Sequence, residues 1–108
     1  MRPRPWLRPL PRRVTVRGAS MAPTLCDGAV VLAFPGALAR TGEIALVRWP
    51  SRPAQLSVKR LALATDEGWF AVGDAPAAST DSRTLGPAEA LAPVRWRLWP
   101  RPARLRAR

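Results

Sequence analysis

The sequence predicts a mainly β domain of short strands with little helix. Three observations carry that prediction. Thirteen prolines and seven glycines are spread over 108 residues and interrupt any long helix. Apolar residues make up 47% of the chain, enough for a packed core rather than disorder. The apolar runs are short and bounded by turn residues. At this length the chain holds one small domain with one modest core.

The elements follow in order. Residues 1–13 read as an extended arm rich in Pro and Arg. "VTVRG" (14–18) alternates and ends in glycine, as a short strand does. "ASMAPTLCDG" is a turn-rich stretch, and "AVVLAF" is a β-prone apolar run. "PGALARTGE" reads as a loop. "IALVRW" is a strand stopped by Pro50, and "SRPA" is a turn. "QLSVKRLALAT" is a longer strand, "DEG" a hairpin turn and "WFAVG" its return strand. "DAPAASTDSRTLGPAEAL" is a long polar loop with a helical turn at "PAEAL". "PVRWRLWP" is the last strand, and residues 101–108 form a basic tail. Six strands result, arranged as a small barrel or folded sheet.

The net charge is +11, and the excess sits at the ends. Residues 1–17 carry six arginines and no acid, and residues 95–108 carry six more and no acid. Such ends suit nucleic acid, an anionic membrane surface or an acidic protein, and charge alone does not choose among them. The chain has no histidine, which excludes Ser–His–Asp and Cys–His mechanisms. Its one cysteine, Cys26, has no intramolecular disulfide partner, and one cysteine with no histidine makes no zinc cluster, so no metal or cofactor is expected. No apolar run reaches the 18 or so residues of a membrane-spanning helix, and prolines and arginines break up any signal-peptide core. The expectation is a cytoplasmic protein, with peripheral membrane contact through the basic ends and Trp6, Trp96 and Trp99 as the alternative.

Three stretches can carry chemistry. "LSVKRLAL" holds Lys59, the only lysine beside seventeen arginines. Arginine stays protonated, whereas a desolvated lysine can give up its proton and act as a base. Alternation puts Lys59 on one strand face with Ser57 and Leu61, and Val58 and Arg60 on the other. From this strand alone, a lysine reaching to water has the stronger claim. "VRGASMAPTL" holds Ser20 between Gly18 and Pro23, in a tight backbone that can present a hydroxyl and its own N–H together. An ordinary turn serine fits the same residues. "VGDAPAASTDSRTLGP" gathers Asp74, Ser79, Asp81 and Arg83, and reads equally as a polar surface loop.

In this order the stretches resemble the signal peptidase I superfamily of Ser/Lys serine peptidases. "VRGASMAPTL", "GEIALVRWP", "SVKRL", "VGDAPAASTDSRTLGP" and "VRWRLWP" carry the resemblance over residues 14–100. It implies the small catalytic β-fold shared by signal peptidases and LexA-like repressors. It implies Ser20 as nucleophile, Lys59 as general base, and the Ser20 N–H as an oxyanion donor near Gly18, Met21 and Pro23. Ser79 would hydrogen-bond Lys59, with Asp81, Arg83 and Asp74 as supports. Gly28-Ala29 and Gly73-Asp74-Ala75 depart from the usual Gly-Asp and Gly-Asp-Asn, and Gly18 replaces a serine donor. With no membrane anchor expected, the chain is most similar to the nickel-type superoxide dismutase maturation proteases. That implies a precursor protein as partner, its leader peptide as substrate, and nickel belonging only to the substrate. Processing of secreted precursors at a membrane surface is the rival within the superfamily. A nucleic-acid-binding or partner-binding β-domain with an inactive dyad is the rival outside it. Nucleic acid is the less expected partner, because residues 1–13 are too short and Pro-rich for a helix-turn-helix.

Overall fold

The computed structural model describes residues 9–108. The first eight residues of the expected arm, Trp6 among them, lie outside the described residues. The fold is one antiparallel sheet of seven strands, with little helix. The strands are β1 (Arg12–Thr15), β2 (Val30–Ala33), β3 (Ile44–Trp49), β4 (Arg52–Thr65), β5 (Gly68–Val72), β6 (Glu89–Trp99) and β7 (Ala103–Arg104). The order across the sheet is β1-β2-β6-β3-β4-β5, with β7 added to β6. No helix among the described residues is long and apolar enough to cross a membrane.

The β3 sequence "IALVRW" explains its central place. Ile44 points into a cluster with Val16, Met21, Leu25, Val31 and Val94, while Ala45, Val47 and Trp49 point into a second cluster with Leu61, Ala71 and Leu85. A strand with apolar residues at successive positions can be covered on both faces, and β3 is. The two clusters hold the sheet from either side.

The first strand starts earlier and ends earlier than the sequence reading, because Arg12 and Arg13 of the expected arm pair with Ala33 and Leu32 and the ladder stops at Thr15. Four further boundaries differ, each for a physical reason. The helical turn lies at Ser82–Leu85 (α1), not at Pro87–Leu91. Asp81 caps it by accepting from the Arg83 N–H, and Gly86, at φ 81°, ends it. Glu89–Leu91 instead begins β6, where Glu89 pairs with Arg48 across the ladder. The "SRPA" turn is shorter than expected, because β4 already begins at Arg52. Pro53 is tolerated there because the β3 register skips from Leu56 to Arg52, and because β5 pairs with β4 only from Arg60 onward. The basic tail joins the sheet as the seventh strand. Ala103 and Arg104 pair with Arg97 and Trp96, Leu105 packs on the first cluster, and the Arg108 N–H donates to the Gly42 carbonyl. Arginines on the solvent side and Ala103 and Leu105 on the other make this a short strand whose charge obscures its alternation.

Each neighbouring pair from β1 to β4 is antiparallel, so β1 and β4 run in the same sense. Three strands separate them in the sheet, yet both line one cleft of about 540 Å³. The sheet is therefore curled. The gap in the curl lies between the free edge of β1 and the first half of β4.

Candidate active site

Ser20 opens a run of turns after β1. The Leu25 N–H donates to the Met21 carbonyl at 2.9 Å, and both side chains are fully buried in the first cluster. The "M-A-P-T-L" spacing thus plants two apolar anchors immediately behind the serine. The Ser20 carbonyl accepts from the Ala75 N–H at 2.8 Å. Gly73 lies so close that an added Cβ would stand 2.5 Å from the Ser20 carbonyl oxygen and would collide with Ser79 Oγ. The Ser20 N–H donates to no group among the described residues. Its amide is left for a ligand while its backbone is held from two sides.

Lys59 comes to the serine from β4. Its Nζ donates to Ser20 Oγ at 2.8 Å, and the residue is only 5% exposed. Lys59 lies opposite Ala45 in the β3–β4 ladder, on the face of the second cluster. Burial pushes the Lys59 ammonium below the ordinary lysine value. Asp81 opposes that shift, and Arg83 adds to it. A buried lysine hydrogen-bonded to a hydroxyl, without a carboxylate in contact, gives up its proton more readily than a lysine in water.

The expected supports fall into two groups. Asp81 is almost fully buried and accepts from the Gly73 N–H at 3.0 Å, from Ser79 Oγ at 2.6 Å, and from the Arg83 N–H and guanidinium. Burial alone would raise its pKa, but the Arg83, Ser79 and Gly73 hydrogen bonds hold it well below the usual carboxylate range. Ser79 therefore serves Asp81. The hydrogen bond expected from Ser79 to Lys59 is absent among the described residues.

Asp74 forms the second group. Arg60 binds it bidentately, with Nε to Oδ1 at 3.1 Å and Nη2 to Oδ2 at 2.7 Å. Thr24 Oγ1 donates to Oδ2 at 2.6 Å, and Arg108 lies 3.4 Å from Oδ1. Burial opposes ionisation of Asp74, and its Arg60 and Thr24 hydrogen bonds outweigh burial and keep its pKa low. Arg60 also donates to the Gly42 and Arg106 carbonyls. One ion pair thus ties β4, the turn after Ser20, the loop of residues 73–81 and the C-terminal segment together.

Gly18 lines the cleft at φ 82°, a conformation that favours glycine, and its N–H is bound by Asp27. Met21 is fully enclosed, so its side chain packs and does not reach the cleft. Pro23 is exposed and outside the cleft lining. The sequence reading missed Arg60, Thr24 and Ala75. Thr24 carries the signal of a hydroxyl in a Pro-Thr turn, and Ala75 acts through its backbone, which no side chain reveals. Arg60 looks like one arginine among seventeen.

Residues 12–72 match the family described as Peptidase S24-like. That span runs from the start of β1 to the end of β5 and includes both Ser20 and Lys59. No curated protein and no solved structure matches the chain significantly.

Proposed function

The chain belongs to the Peptidase S24-like family, and from that premise we propose that it is a serine endopeptidase working through Ser20 and Lys59. The observation that carries this reading is the 2.8 Å contact between Lys59 Nζ and Ser20 Oγ at a buried, cleft-lining lysine. Neutral Lys59 takes the proton from Ser20 Oγ as the oxygen attacks a peptide carbonyl. The Ser20 N–H stabilises the resulting oxyanion. The Lys59 ammonium then protonates the leaving amine, and the ester remains on Ser20. Lys59 next takes a proton from water, which attacks the ester carbonyl, and returns a proton to Ser20 Oγ as the acid product leaves. An extended substrate would lie in the cleft against the free edges of β1 and β4.

The substrate assigned by this reading is a precursor protein that loses an N-terminal leader in the cytoplasm. The nickel-type superoxide dismutase precursor is the candidate, supported by the motif resemblance. The test is intact-mass analysis of that precursor after incubation with wild type, Ser20→Ala and Lys59→Arg. Leader loss with wild type alone is expected. An uncut precursor would remove this substrate, and cutting that survives Lys59→Arg would remove the dyad.

A further inference from the structure

The charged side chains that line the cleft beside the dyad are all basic. Arg17 and Lys59 are the charged residues in its lining, and no acid is among them. Its two walls, β1 and the first half of β4, both begin in arginine: Arg12 and Arg13 on one, Arg52 on the other. β1 and β4 run in the same sense toward Ser20 and Lys59, so Arg12, Arg13 and Arg52 lie where the two walls begin, outside the cleft lining itself. Seven residues separate Arg52 from Lys59, roughly 23 Å of strand at about 3.3 Å per residue.

None of the chain's acids neutralises this set. Arg12, Arg13, Arg17 and Arg52 are exposed and form no ion pair among the described residues. Glu43, Asp74, Asp81 and Glu89 are bound to Arg95, Arg60, Arg83 and Arg48. Asp66 and Glu67 lie at the β4–β5 turn, at the opposite end of β4 from Arg52. Asp27 lies at the dyad end and accepts the Gly18 N–H. Residues 1–8 contain no acid.

A polypeptide laid between the walls takes these guanidiniums partly out of water. Carboxylates opposite them replace the lost solvation, and lysines there add repulsion. We propose that the cleft selects an acidic extended segment. It would bear Asp or Glu near the reacting bond, facing Arg17, where basic residues would be rejected, while Arg12, Arg13 and Arg52 at the start of the two walls add to the same positive field. The word substrate here rests on the peptidase reading; the charge selection concerns binding alone.

The test uses Ser20→Ala protein and fluorescent peptides of about fourteen residues, identical except for four positions set to Glu, Gln or Lys. Binding is read by anisotropy. At about 50 mM salt the Glu peptide is expected to bind about tenfold tighter than the Lys peptide, and the gap should shrink to under about threefold near 500 mM. Adding Arg17→Glu and Arg52→Glu should abolish or reverse the order. Adding Arg101→Glu and Arg104→Glu, with the same net charge, should preserve it. Equal loss in both variants would mean attraction by net charge alone and would overturn the proposal, as would no charge preference or no peptide bound. The same peptides are then offered to wild type. No hydrolysis with the charge order intact removes the peptidase reading and leaves the selection standing. Hydrolysis indifferent to Glu and Lys removes the selection and leaves the peptidase.

Discussion

Lys59 and Arg60 are neighbours on β4, equally buried at 5% exposure, and they live in opposite electrostatic surroundings. On one face Arg60 meets a full set of acceptors: both Asp74 oxygens and the carbonyls of Gly42 and Arg106. On the other face Lys59 meets a serine hydroxyl, with the nearest charges held at a distance in the Asp81–Arg83 pair. Burial alone does not decide what a cation becomes. A guanidinium with a matched carboxylate stays charged and braces the fold, whereas an ammonium given only a hydroxyl has its pKa lowered by burial.

Exchanging the two chemistries should have the largest effect. Lys59→Arg keeps a cation at the position and removes the possibility of deprotonation. Hydrolysis should fall by about 10³-fold or more, as should that of Ser20→Ala, because each partner is needed for the proton transfer. Rates measured on a cleavable precursor or peptide check this. A Lys59→Arg protein retaining even a tenth of wild-type activity would erase the distinction between the two cations.

The Arg60 side breaks differently. Asp74→Ala leaves Arg60 buried without its carboxylate, and removing one partner of a buried pair typically costs about 3–5 kcal/mol. Denaturant unfolding should show that loss. Thr24 and Arg108 lose the same acceptor, so the turn behind Ser20 and the C-terminal segment loosen together. A change under about 1 kcal/mol would mean that water or another acceptor takes the place of Asp74.

Between the two faces lies Gly73, and Gly73→Ala tests how tightly the serine is held. Its new Cβ would meet the Ser20 carbonyl oxygen and the Ser79 side chain, and neither is the loose end of a flexible chain. Overpacking of this kind costs about 1–3 kcal/mol. Activity should fall further than that loss of stability explains, since the displaced atoms belong to the nucleophile's own backbone. An alanine variant with wild-type rates would show that the Ala75–Ser20 clamp is dispensable.

This asymmetry also sets what the sequence could reveal. The lone lysine was legible because seventeen arginines made it stand out. The same arginines hid Arg60, which is set apart by its burial and by a carboxylate fourteen residues away, neither of them visible in its neighbours along the chain. The central strands were legible through apolar runs such as "IALVRW", whose alternation feeds two clusters. Strand β7 was not, because pairing with Trp96 and Arg97 is a non-local contact and its local signal is a run of charge. The α1 turn carried its own start and stop in Asp81 and Gly86, but "PAEAL" has the stronger intrinsic helix propensity, and the strand partner of Glu89 overrides it. Ser79 was assigned to Lys59 by analogy with a dyad that needs orienting. Asp81, two residues further on, is the stronger acceptor and takes its hydrogen bond.

The smallest expected effect is the cleanest to interpret. The chain has no histidine and no tyrosine, so the response of Lys59 is read with little interference above neutral pH once the single thiol is removed. Cys26→Ser removes the thiol. The Lys59 pKa is lowered in the folded protein, so between that value and about 10.4 the unfolded chain binds a proton that the folded chain lacks. Stability must then rise with pH across that window, by at most about 1.4 kcal/mol per unit, and level off above it. Below the folded pKa the protein bears the full cost of a buried ammonium. Lys59→Met in the same background should abolish the rise and be the more stable protein near neutral pH. Urea unfolding at half-unit steps of pH measures both curves. Parallel curves would mean that Lys59 is as comfortably charged as Arg60, and the contrast between the two faces of β4 would be one of shape and not of protonation.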